Sequence, residues 1–133
     1  MGLDIYFAKR KKRPGNSNED FDNNWKELAY FRKVNCLVAF FEDNYDYDRE
    51  NWDMEVTKDM CQHLLDNCAS VLEDNDLARE LMPTVPGFLF GSTDYDECYF
   101  DDLESIIEAV SENVLPEFDD LKDDEVITFC TSW

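Results

Sequence analysis

Residues 24–44 read NWKELAYFRKVNCLVAFFEDN, and how this stretch is cut decides the fold. Phe31, Val34, Val38, Phe41 and Tyr45 fall three and four apart, the spacing of one face of an α-helix. Leu28, Leu37 and Phe40 widen that face, and Asn23 or Asn24 supplies an N-cap. The spacing predicts one long helix over 24–44.

Toward the N-terminus, Leu3, Ile5 and Phe7 alternate with Asp4, Tyr6 and Ala8, the period of a strand. Residues 9–13 read KRKKR and Pro14-Gly15 follows, so this basic tract is expected to be a polar loop. Two other readings stand beside it: a self-complement folding onto acid elsewhere in the chain, or a nucleic-acid contact. Toward the C-terminus, residues 42–53, EDNYDYDRENWD, are acidic and aromatic without a period. A second helix is expected over 57–73, capped by Thr57, with Cys61, Leu64, Leu65, Cys68, Val71 and Leu72 as its apolar stripe. A short third helix over 76–81 ends at Pro83. Phe88-Leu89-Phe90 reads as a short strand. A long helix over 95–113 carries Tyr99, Leu103, Ile106, Val110 and Val114 inward and ends at Pro116, and residues 126–133 form a β-branched, aromatic strand. The expected class is α+β: a small, mainly antiparallel sheet of the N- and C-terminal strands plus 88–90, covered by three to four helices, as one acidic globular domain over 1–133.

Composition bounds the function. The 133 residues carry 12 Lys plus Arg and 32 Asp plus Glu, a net charge of −20. Hydrophobic residues make up 44% and aromatics 14%, enough apolar surface to argue against a disordered chain. A net negative surface works against nucleic acid or an anionic membrane as the main partner. The opening residues do not read as a secretion signal, and no apolar run nears the roughly 18 residues of a membrane span. The five cysteines are odd in number and lack a C-x-x-C pair, which points to reduced, buried thiols in a cytoplasm.

Four blocks carry a resemblance: MGLDIY at 1–6, ELAYFRKVN at 27–35, GFLFGSTDYDE at 87–97 and the closing Ser132-Trp133. Together they resemble a family of small, largely uncharacterised phage and prophage proteins. The resemblance implies a phage or mobile-element origin and a bacterial host cytoplasm. It brings no activity with it.

The strongest candidate site is a row of acids. Glu97, Asp101, Glu104, Glu108 and Glu112 recur at spacings of three and four and line one face of the last helix. The bland reading is a solvated helix face. The functional reading is a line of carboxylates ~5–6 Å apart that imitates the phosphates of a nucleic acid. Its partner would be a host protein with a basic nucleic-acid-binding groove.

A second candidate joins Arg32 and Lys33, with Asn35, to the turn Gly91, Ser92 and Thr93, as an anion site at a helix N-terminus. Its bland alternative is a capping turn, with Thr93 as N-cap and Asp96 at N3. Asp94, Asp96 and Glu97 crowd negative charge near that anion position.

Asp46, Asp48 and Glu50 have calcium-loop spacing, but Thr57 stands where the loop needs a bidentate carboxylate, so no metal is expected. His63, the only histidine, lies off its helix's apolar stripe and is expected to be exposed and idle. No P-loop, dinucleotide fingerprint, zinc spacing or nucleophile elbow occurs. No enzyme and no cofactor are expected. The leading expectation is a phage-type inhibitory binding protein, a DNA mimic of the anti-CRISPR or anti-restriction kind. The competing expectation is a small-ligand module for a phosphorylated metabolite or signalling nucleotide near Gly91, Thr93 and Arg32.

Overall fold

The fold is that of a computed structural model, which describes residues 3–11, 25–48, 53–86 and 94–132. It is α+β, with one four-stranded sheet and helices against it. The strands are β1 (Asp4–Lys11), β2 (Lys26–Arg32), β3 (Asp53–Val56) and β4 (Glu125–Ser132). Their order is β2-β1-β4-β3, and each neighbouring pair is antiparallel. The two terminal strands lie side by side, in register from Asp4 opposite Ser132 to Lys11 opposite Glu125.

Alternation sorts the sheet into two faces. Ile5, Phe7, Ala29, Phe31, Val56, Ile127 and Phe129 belong to the hydrophobic core. The opposite face carries Tyr6, Tyr30, Cys130 and Asp53 in one cross-strand row.

Helix α1 (Asn35–Tyr45) is the middle layer. Phe41 packs on the sheet through Phe7 and Phe129, at ring centroid distances of 6.1 and 4.3 Å. Phe40 packs the other way, 4.9 Å from His63 on α2 (Lys58–Glu73). Residues 35–41 are therefore all buried, as a helix apolar on every side must be. A 3-10 turn (Asn75–Leu77) leads into α3 (Ala78–Leu81). Helix α4 (Glu97–Ala109) passes through a π turn (Val110–Val114) into α5 (Leu115–Asp119). The expected inward residues of this last stretch, Tyr99, Leu103, Ile106, Val110 and Val114, are all buried.

Several expectations need correction. The predicted helix over 24–44 is a strand followed by a helix. Residues 26–32 form β2 beside β1, Lys33 turns the chain at φ 60°, and α1 begins only at Asn35. The N-cap of α1 is Val34, and the expected caps Asn23 and Asn24 lie outside the described residues. The sheet gains β2 and β3, neither of which was predicted, while the expected 88–90 strand lies outside the described residues. The basic tract is not all loop, since Lys9, Arg10 and Lys11 continue β1. Pro116 does not end the last helix. It sits in the first turn of α5, where a missing N–H costs little. The N-cap of α4 is Asp96, whose Oδ1 accepts from Tyr99 N at 3.2 Å, so Asp96 does not serve as N3 to a Thr93 cap.

Candidate functional site

Helix α4 is fixed from behind. Tyr99, Leu103 and Ile106 anchor it in the core, and Tyr99 Oη donates to the carbonyl of Met82 at 2.6 Å. Asp96 and Glu97 at its start complement the positive end of the helix dipole. The outer face is thereby held rigidly toward solvent. Glu97, Asp101, Glu104, Glu108 and Glu112 are all exposed. Among the described residues the salt bridges run between Lys9, Arg10, Lys26, Arg32 or Lys58 and Glu117, Asp53, Asp4 or Asp119, and none reaches this row.

The row is straight over four residues and then turns. Glu112 lies in the π turn, which is wound more loosely than an α-helix, so it departs from the α-helical line. It borders a polar depression with Lys26, Glu27, Asn113 and Glu117. Sequence spacing assumes an uninterrupted α-helix and could not show this.

The second candidate is partly assembled. Arg32 and Lys33 line a cavity of about 200 Å³ at the junction of β2, α1 and the start of α4. Gly91, Ser92 and Thr93 lie outside the described residues. Asn35 and Cys36 line the same cavity, and so do Asp94, Asp96, Cys98 and Asp102. Asp102 is half-buried, and burial, with Asp101 and Asp96 nearby, raises its carboxyl above the ordinary value of 3.8. Arg32 also stands 3.9 Å from Asp4, whose Oδ1 accepts from Tyr30 Oη at 2.6 Å. Sequence reasoning missed Asp102 and Cys98. Asp102 carried a signal, being three residues after Tyr99 and one before Leu103, at the boundary of the buried face.

His63 is not idle on the surface. It is half-buried, and its Nδ1 shares a 2.8 Å hydrogen bond with Tyr45 Oη. The cysteines divide: Cys36, Cys61, Cys68 and Cys130 are buried and free, in line with the expected buried thiols, while Cys98 is exposed. Among the described residues no group of three or more His, Cys, Asp or Glu is placed to hold a metal, and no helix is long and apolar enough to cross a membrane. Compared with protein-family models, curated proteins and solved structures, the chain finds no match in any of the three.

Proposed function

We propose that this is a non-enzymatic, phage-type inhibitory protein that acts in a bacterial cytoplasm, its acidic surface occupying a basic, nucleic-acid-handling groove on a host defence or replication protein. The observation that carries the reading is the exposed row Glu97, Asp101, Glu104 and Glu108 on a helix whose opposite face is locked in the core. Glu97 alone sits where the helix dipole favours an acid; like charges at i,i+4 cost a helix a few tenths of a kcal/mol per pair, so the rest of the row does not aid folding. Residues 94–125 hold 14 acids and one base, a field strong enough to steer a basic partner over a distance. The phage context rests on the sequence resemblance.

The test is capture of partners from bacterial lysate at low and high salt, followed by Glu104→Lys combined with Glu108→Lys. The mimic reading expects binding to fall steeply with salt and to drop by several kcal/mol in the double variant, with the fold unchanged. Binding indifferent to both overturns it. The competing phosphate-ligand reading has Arg32 and Lys33 in its favour. Asp94, Asp96 and Asp102 on the same cavity work against a multiply charged anion.

A further inference from the structure

The cavity beside α1 and α4 has walls of opposite sign. The β2–α1 junction brings Arg32 and Lys33, and then Val34, Asn35 and Cys36 at the start of α1. Val34, the N-cap, offers no side-chain acceptor, and the first turn of α1 contains no acid, so this wall is positive. The facing wall is negative, with Asp94 and Asp96 entering α4 and Asp102 on it. At about 200 Å³ the space is smaller than the ~300–1,000 Å³ of pockets for drug-sized ligands, so it is sized for a small metabolite.

Charge selects among small metabolites. A phosphate meets repulsion from three aspartates. A simple cation meets repulsion from Arg32 and Lys33. A molecule bearing one carboxylate and one ammonium meets each wall with the favourable sign. We propose that this cavity binds a free α-amino acid or a zwitterion of similar size, its carboxylate toward Lys33 and the start of α1, and its ammonium toward Asp102.

Two further features agree. Lys33 adopts φ 60°, a left-handed conformation that glycine takes without penalty, and its N–H is fixed to the carbonyl of Leu3 at 2.7 Å. The chain keeps a lysine at the cavity rim where the backbone alone favours glycine. Asp102 is held in partial burial beside other carboxylates, a position an ammonium relieves. The proposal is independent of the acidic row.

The experiment is calorimetry and thermal shift on the full chain with each free L-amino acid in turn, then with the amide and the N-acetyl form of the best binder, and with inorganic phosphate. The free amino acid is expected to bind and to raise Tm. Removing either charge should weaken binding about tenfold or more. Lys33→Gly should weaken binding comparably without lowering the Tm of the ligand-free protein, since glycine relieves the left-handed backbone. Asp102→Asn should weaken the free amino acid but not its N-acetyl form. The proposal is overturned if no amino acid in the panel binds, if the blocked forms bind as well as the parent, if phosphate binds in preference, or if Lys33→Gly leaves affinity unchanged.

Discussion

Arg10 and Asp53 join two strands that are not neighbours in the sheet. Arg10 lies on β1 and Asp53 on β3, with β4 between them, yet Arg10 Nε donates to Asp53 Oδ2 at 2.8 Å. The guanidinium therefore crosses β4, over a sheet face where Ala8 and Thr128 are fully buried. The pair is itself about 90% buried. It does for this face part of what the helices do for the other.

Removing one partner leaves the other charge buried. Asp53→Ala is expected to cost about 3–5 kcal/mol, whereas Arg10→Met combined with Asp53→Leu should come close to wild type. Urea unfolding of the three proteins decides it. A loss below about 1 kcal/mol for Asp53→Ala would show that the pair is solvated and structurally idle.

The second ion pair supports a pH prediction. Lys9 Nζ donates to Glu117 Oε1 at 2.7 Å, tying β1 to α5. That hydrogen bond from Lys9 lowers the Glu117 carboxyl below its ordinary 4.5, and raises Lys9 above its ordinary 10.5. A lowered carboxyl contributes stability that is present above its unfolded value and lost as pH falls through its folded one. A raised lysine contributes below 10.5 and loses that contribution as pH rises through its raised value. With side chains about one-fifth exposed, the pair should be worth about 1 kcal/mol or less. Glu117→Gln should be slightly less stable than wild type near neutrality, and the gap should close as pH falls below about 4.5. A gap that persists in strong acid would mean the hydrogen bond, not the charge, does the work.

Thiol chemistry should be confined to one residue. Burial pushes Cys61, Cys68 and Cys130 up to about 12 and Cys36 higher still, so none forms thiolate near neutral pH. Cys98 alone is exposed. Ellman's reagent should label a single thiol quickly in the native protein, and Cys98→Ser should abolish the fast phase. Rapid labelling of several thiols would contradict the burial of this core.

These outcomes bear on what the sequence could disclose. The N-terminal strand was legible because Leu3, Ile5 and Phe7 alternate with Asp4, Tyr6 and Ala8, the C-terminal one because residues 126–133 are rich in β-branched and aromatic side chains, and the inward faces of α2 and α4 because their apolar stripes hold for several turns. Residues 26–32 were not. Leu28, Phe31 and Val34 satisfy a helical spacing, while Ala29 and Phe31 equally satisfy a strand with Tyr30 outward. A seven-residue segment fits both periods, and pairing with β1 settles the matter. The Arg10–Asp53 bridge and the bipolar cavity join residues far apart in sequence, so composition alone could not assemble them. The acidic row was legible because it lies on one helix. Only the bend at Glu112, set by the π turn, escaped the pattern.

The acid proposed to serve binding should oppose folding, and salt separates the two. At −20 the chain repels itself, and the α4 row finds no ion-pair partner among the described residues. Raising ionic strength from low salt to 0.1 M shortens the screening length to ~10 Å and relieves that repulsion, so Tm should rise. The same screening should weaken a basic partner's grip. Glu104→Lys with Glu108→Lys should raise Tm at low salt and flatten its salt dependence, because like-charge neighbours are removed from an exposed face. Differential scanning calorimetry across a salt series checks this without any partner in hand. A double variant that melts lower than wild type at low salt would show that these glutamates hold the structure together, and the row would then lose its claim to be a surface kept for binding.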